Sequence, residues 1–139
     1  MLRRARGFSL IELVTIIVVL GALAFFALPR LRTSDASLLT SRDAIVAALA
    51  HAQQAAMARD SASNPITVVV SANSVDVQEN GASIDLPNVN YPINFPNGIN
   101  ITAGIGTLTY DKLGRTGATV IALNNGGATI TVEASGYAH

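Results

Sequence analysis

The sequence predicts an α+β fold in which one long amino-terminal helix precedes an antiparallel β-sheet. Three observations point to it. Residues 8–28 form an apolar run long enough to cross a membrane as a helix. Residues 34–59 carry apolar side chains at helical spacing in an alanine-rich background. From Ile66 onward, short β-branched runs alternate with turn residues. At 139 residues the chain has room for one compact domain beside one membrane segment.

The apolar run comes first. Phe8–Leu28 is 21 residues, about 31 Å of helix against a hydrocarbon core of about 30 Å. Fourteen of these residues are Leu, Ile, Val or Phe, and together they favour insertion by roughly 4–8 kcal/mol. Glu12 interrupts them. A carboxylate at bilayer depth costs roughly 2.5–3.5 kcal/mol on insertion scales, so a Glu there is a functional candidate by default. Arg3, Arg4 and Arg6 precede the run and direct the amino terminus to the cytoplasm. Everything after Pro29 then lies on the far side. Pro29 lacks a backbone N–H and clashes with the preceding turn, which predicts a helix kink or local unwinding. Arg30 and Arg32 beside it can reach headgroup phosphates.

Ser34–Arg59 reads as an amphipathic helix. Leu31, Leu38, Leu39, Ile45, Val46, Leu49, Ala52, Ala56 and Met57 recur near helical spacing, while Ser37, Ser41, Asp43, His51 and Gln54 take other faces. Eight further or overlapping alanines between positions 44 and 58 support the helix by propensity. Ser61-Ala62-Ser63-Asn64-Pro65 ends it. Strands are expected at Ile66–Val70, Ser74–Gln78, Ile99–Ala103, Leu108–Asp111, Thr119–Leu123 and Thr129–Glu133, with Ser83–Leu86 as a further candidate. Ser71-Ala72-Asn73 and Asn124-Asn125-Gly126-Gly127 read as hairpin connections, the second through an Asn-Gly turn. Between Pro87 and Pro96 the chain reads as a loop whose Tyr91 and Phe95 fold back on the core, because Pro92 and Pro96 disfavour central pairing.

Charge and composition exclude several functions. From Thr33 onward four basic residues (Arg42, Arg59, Lys112, Arg115) face eight acidic ones, the wrong balance for a general nucleic-acid binder. There are no cysteines, which removes disulfides, thiolate zinc sites and thiol catalysis. The two histidines, His51 in mid-helix and His139 at the last position, have no carboxylate locally placed to orient them, so no catalytic constellation is expected. Asp111, Glu133 and His139 have no spacing typical of a metal site, and neither a metal nor another cofactor is implied. Gly104-Ile105-Gly106 and Gly126-Gly127 do not precede a helix as a phosphate-binding loop must. Lys112 and Arg115 flank Gly114 as the one small basic site downstream of residue 60, enough for weak, salt-sensitive contact with an anion or DNA. Asn100-Ile101-Thr102 matches a glycosylation sequon but falls in an expected strand.

Gly7-Phe8-Ser9-Leu10-Ile11-Glu12-Leu13, with arginines before it and the apolar run after it, resembles the class III signal of type IV pilins and type II secretion pseudopilins. The resemblance implies cleavage by a prepilin peptidase between Gly7 and Phe8, methylation of the new Phe8 amine, and Glu12 as the residue that sets registry during assembly. It implies a leader at 1–7, a transmembrane and filament-core helix at 8–28, an amphipathic second half of the helix at 29–60, and a β-rich pilin domain at 61–139. Its implied partners are other pilin or pseudopilin subunits, contacted through the helix, the peptidase, an inner-membrane assembly platform and the membrane itself. The implied location is the bacterial inner membrane, single-pass, with the carboxy-terminal domain periplasmic, followed by the pilus or pseudopilus.

Downstream, Leu108-Thr109-Tyr110-Asp111-Lys112-Leu113-Gly114-Arg115 and Ile130-Thr131-Val132-Glu133-Ala134-Ser135-Gly136-Tyr137 look like the aromatic-x-x-x-Gly strand end and final strand of H-type minor pseudopilins and of minor pilins of mannose-sensitive haemagglutinin systems. The paired cysteines of major pilins and the acidic calcium loop of major pseudopilins are missing, which favours a minor subunit. Two other readings stay open. One is a soluble periplasmic binding module released by ordinary signal peptidase at Ala22-Leu23-Ala24. The other is a pilin acting as an adhesin or DNA-uptake subunit.

Overall fold

The computed structural model describes residues 9–59, 63–86 and 89–139, side chains included except at 25–34 and 86. The class is α+β with antiparallel strand pairing. The chain divides into two units, Met1–Asp35 and Ala36–His139. Helix α1, Leu10–Ala58, contributes to both. The kink or local unwinding expected at Pro29 falls, like the side chains of Arg30, Leu31 and Arg32, in the stretch 25–34 whose side chains lie outside the described residues.

In the second unit, α1 buries Ser41, Ile45, Ala48, Leu49, Ala52, Ala55 and Ala56. These positions recur at intervals of three and four, which is one stripe of a 3.6-residue helix. Ile45 and Leu49 each contribute about 1.5–3 kcal/mol by leaving water, and the alanines let the strands approach closely. Leu38 and Val46 flank the stripe, half-buried. Leu39 and Met57 were expected in it but are 59% and 49% exposed. Each follows a stripe or flanking residue by one position, and a step of about 100° turns its side chain away. Arg59, just past the helix end, pairs its guanidinium with Glu79.

Among the described residues ten strands follow: β1 (Ile66–Val70), β2 (Ser74–Glu79), β3 (Ala82–Ser83), β4 (Asp85–Leu86), β5 (Val89–Asn90), β6 (Ile93–Asn94), β7 (Ile101–Ala103), β8 (Gly106–Tyr110), β9 (Thr119–Leu123) and β10 (Ala128–Val132). They form three sheets rather than the one expected. A five-stranded sheet has the order β3-β2-β1-β8, with β6 also on β2; a three-stranded sheet has the order β10-β9-β7; β4 and β5 pair alone. The chain passes from the second sheet to the first at Gly104-Ile105-Gly106. Gly104 has φ +78°, and a Cβ there would lie 2.6 Å from the Val120 carbonyl oxygen, so only glycine allows this crossing.

β1 and β9 match their expected bounds, and both expected hairpins form. The other strands shift by one or two residues: β2 runs on to Glu79, β7 starts at Ile101, β8 covers 106–110 and β10 covers 128–132. Ser83–Leu86 is not one strand. Ile84, buried in the core, separates β3 from β4, although its N–H still donates to the Val77 carbonyl of β2 at 2.8 Å. The Pro87–Pro96 stretch holds two two-residue strands rather than loop alone, and its Tyr91 and Phe95 pack against the core as expected. The β9–β10 connection is a 3₁₀ turn over Asn124–Gly126, with positive φ at Asn124 (47°), Asn125 (56°) and Gly126 (93°). Asn124 also anchors its surroundings: its Oδ1 accepts from the Asn100 N–H at 2.9 Å, and its Nδ2 donates to the Gly98 carbonyl at 3.0 Å.

Alternation builds the core. Ile66, Val68 and Val70 of β1, Val75 and Val77 of β2, Ile121 and Leu123 of β9, and Ile130 and Val132 of β10 all face inward against the α1 stripe. Tyr110 closes β8 inside the same cluster.

Candidate functional site

The first unit presents an unusual helix face, or rather no single face. Leu10, Ile11, Leu13, Val14, Ile16–Leu20 and Leu23 are all between 44% and 82% exposed. At about 100° per residue, consecutive apolar positions cover every side of α1. A helix that is hydrophobic all round is buried by something other than its own domain, either lipid or other helices. Among the described residues no helix is long and apolar enough to cross a membrane. The predicted span 8–28 overruns them at both ends, at Phe8 and at the side chains beyond Ala24. Gly7 and Phe8, the expected processing site, also lie outside the described residues.

Glu12 stands in the first turn of this helix. Ser9 caps the turn: its Oγ accepts from the Glu12 N–H at 3.3 Å, and its carbonyl accepts from Glu12 and Leu13 N–H at 3.1 and 3.2 Å. Ser9-x-x-Glu12 has the spacing of a capping box, and a carboxylate in the first turn also complements the helix dipole. That second role for Glu12 was readable in the sequence and was not anticipated.

The second place of interest is the turn after β8. Asp111 organises it: Oδ1 accepts from the Leu113 and Arg115 N–H groups at 2.9 and 2.8 Å, and Oδ2 accepts from Arg115 Nε at 2.8 Å. The Arg115 backbone N–H chiefly, with its side chain and the Leu113 N–H, holds the Asp111 carboxyl below the usual range. The basic site expected at Lys112 and Arg115 therefore has a carboxylate built into it. Lys112 remains exposed at the tip without an ion pair among the described residues, beside Leu113 at 66% exposure.

Gln53 of α1 ties this turn to the next one. Its Nε2 donates to the Gly114 carbonyl at 3.2 Å and to the Ser135 carbonyl at 3.0 Å. Gly114 and Gly136 approach so closely that a Cβ on Gly136 would lie 1.9 Å from the Gly114 oxygen. The two motifs quoted for the downstream resemblance thus meet at one glutamine. Nothing local in the sequence marks Gln53, since its partners lie 61 and 82 residues away. Tyr110, the aromatic residue of the first motif, is buried in the core, and burial pushes its hydroxyl up to about 12.

His51 packs on Tyr91. Their rings stack at 5.9 Å with an 8° interplanar angle, and the Tyr91 hydroxyl lies 3.4 Å from His51 Nδ1. Burial, with a smaller contribution from Arg59, lowers the imidazole below its ordinary value of 6.5. The folded protein therefore favours the neutral ring. Its contribution to stability is complete above pH 6.5 and is lost as the pH falls through the lower folded value. We expect the urea midpoint to decline from pH 7 to pH 5 and His51→Phe, which keeps the stack without a titrating nitrogen, to flatten that decline; an equal decline in the variant rules His51 out.

Asp111, Glu133 and His139 do not converge. Asp111 holds its own turn, Glu133 accepts from Ser135 Oγ at 3.4 Å, and His139 stacks on Tyr137 while exchanging backbone hydrogen bonds with Thr131. Among the described residues no group of three or more His, Asp or Glu side chains could hold a metal ion. No family model, curated protein or solved structure matches the chain.

Proposed function

We propose that the chain is a non-enzymatic structural subunit of a filament, a minor pilin or pseudopilin that waits in the bacterial inner membrane and assembles through its amino-terminal helix. The observation that carries this reading is a helix apolar on every side, with one carboxylate in its first turn, directly after Gly7-Phe8 and a cluster of arginines. Lipid covers such a helix before assembly, and neighbouring subunits cover it afterwards. On this reading residues 1–7 are removed by a prepilin peptidase, 8–28 form the membrane and filament-core segment, and 29–60 complete one long helix. The 61–139 domain is periplasmic and faces outward. Glu12 meets a positive charge on a neighbour, and that pairing supplies the registry that an apolar surface lacks. The filament is a type IV pilus, MSHA-like systems included, or a type II secretion pseudopilus, and it is docked by an inner-membrane platform.

The mature amino terminus tests the proposal. Mass spectrometry of the protein from its own cells is expected to find N-methyl-Phe8 on a membrane-bound chain. A soluble protein beginning near Phe25 would instead establish a released periplasmic module and end the filament reading.

A further inference from the structure

We propose that β8 is a strand-addition site: its outer edge, at Thr107 and Thr109, takes an extended antiparallel segment of a partner chain of different sequence that sets a carboxylate beside Lys112. The hydrogen-bond parity of the sheet assigns that edge. The Ser71 N–H donates to the Ser74 carbonyl at 2.9 Å and the Asn80 N–H to the Pro65 carbonyl at 3.0 Å. Odd-numbered residues of β1 therefore bond to β2, and Ile66, Val68 and Val70 are left for β8. Their register partners are Tyr110, Leu108 and Gly106. Thr107 and Thr109 then direct their N–H and C=O groups away from β1. β8 is the last strand in its sheet, both threonines are exposed, and neither backbone finds a second partner among the described residues.

Among the described residues every other long edge is covered or broken. On β10, Thr131 exchanges hydrogen bonds of 2.9 and 3.0 Å with His139, the Glu133 N–H next to the strand donates to Tyr137 at 2.9 Å, and Arg42 Nε donates to the Thr129 carbonyl at 3.3 Å. β2 is flanked by β3 and β6. β7 is three residues with an irregular register, and its Ile101 N–H is taken by the Ala72 carbonyl at 2.7 Å. β8 has none of these devices. It is Gly-Thr-Leu-Thr-Tyr, five residues without charge, proline or bulge. Proteins normally blunt such an edge, because it templates pairing with another chain. Left open, it is suited to recognition by main-chain hydrogen bonds.

The occupant follows from two further points. Among the described residues a second copy offers one open edge of this length, its own β8, since its other long edges are covered or broken, and β8 on β8 relates two subunits by a two-fold axis. Subunits whose helices run in one direction through a common bundle are not related that way; this exclusion rests on the filament reading above. The charge is set by Lys112, exposed just past the end of β8 and without an ion pair among the described residues, whereas Arg115 is neutralised by Asp111. An antiparallel segment brings its first residue there, so that residue is acidic.

The test uses the full ¹⁵N-labelled chain in detergent micelles and a synthetic peptide, Asp-Val-Thr-Val-Thr-Val, with a second peptide carrying Lys in place of Asp. The expected result is a shift of the Thr107 and Thr109 amide signals at about 1 mM of the acidic peptide, and binding weaker by about threefold or more for the Lys peptide. Lys112→Ala should erase the difference between the peptides. Thr109→Pro, which removes an outward N–H and fixes the local φ, should abolish the shift at Thr107, the one of the two amides that variant keeps; if that variant does not fold, the two peptides on the unaltered chain decide. No shift at either threonine, or equal affinity for both peptides, overturns the proposal. So does a shift of the same signals with rising protein concentration alone, which would mean β8 pairs with its own copy. Peptide binding is expected to persist in Glu12→Ala, so failure of the filament reading and failure of this one are separable.

Discussion

Replacing Glu12 by alanine is expected to leave membrane insertion intact or improved and to reduce incorporation into filaments by at least about tenfold. Removing a carboxylate from bilayer depth relieves roughly 2.5–3.5 kcal/mol of insertion cost, so the variant enters the membrane at least as readily. What it lacks is the charge that a neighbouring terminal amine can meet. In a medium of low dielectric such a pair is far stronger than in water, and Glu12 is the one charged residue of the 8–28 sequence able to distinguish one register of apolar helices from the next. Glu12→Lys should fail more completely, because it sets two positive groups together.

The capping geometry makes a third variant decisive. Ser9 Oγ accepts from the Glu12 N–H, and Gln can take the same capping-box position as Glu. Glu12→Gln therefore keeps the helix start and loses only the charge. On the registry proposal it fails like alanine. Filaments of normal abundance with Glu12→Gln would sink that proposal and leave Glu12 as a capping residue. Ser9→Ala supplies the reciprocal control: it costs the helix about 0.5–2 kcal/mol without changing charge, and incorporation should persist. Shearing the cells and quantifying subunits in the filament and membrane fractions reads all four variants.

The parts of this protein legible in its sequence are those written at short range. The α1 stripe through Ile45, Leu49, Ala52 and Ala56 follows from helical spacing. The hairpins β1–β2 and β9–β10 follow from β-branched alternation around Ser-Ala-Asn and Asn-Asn-Gly turns. Leu39 and Met57 show the limit of that approach, since apolar identity assigned them to a stripe that a single helical step takes them off. The division into three sheets was not legible. It depends on the backbone approach at Gly104 and on β1 pairing with β8, about forty residues downstream, and periodicity carries no information on either. The same holds for the tail. Gly114 and Gly136 were visible as members of two short motifs, but their contact and the Gln53 amide that joins them exist only once the strands have converged. The aromatic fold-back of Tyr91 was expected, whereas its stacking on His51 required the position of a helix face.

That convergence makes Gly136→Ala the most damaging small substitution expected in the domain. Gly136 has φ +84°, which alone costs an L residue about 1–2 kcal/mol. The added methyl would also lie 1.9 Å from the Gly114 carbonyl oxygen and 2.8 Å from Gln53 Nε2. The first obstacle is backbone and cannot swing aside. Relief requires the 111–115 and 133–137 turns to separate, which leaves the Gly114 and Ser135 carbonyls without their shared donor, at about 1–3 kcal/mol. The sum is about 2–5 kcal/mol, reaching the larger effects of a point substitution. For a domain near this size it corresponds to a fall in Tm of roughly 8–40 °C. Gly98→Ala provides the comparison: its φ is +92°, yet nothing lies within 4 Å of the added carbon, so only the conformational cost of about 1–2 kcal/mol applies. Thermal unfolding followed by circular dichroism should separate the two variants clearly. Equal losses at 98 and 136 would mean that backbone conformation, and not the contact between the two turns, is what glycine serves at the end of this chain.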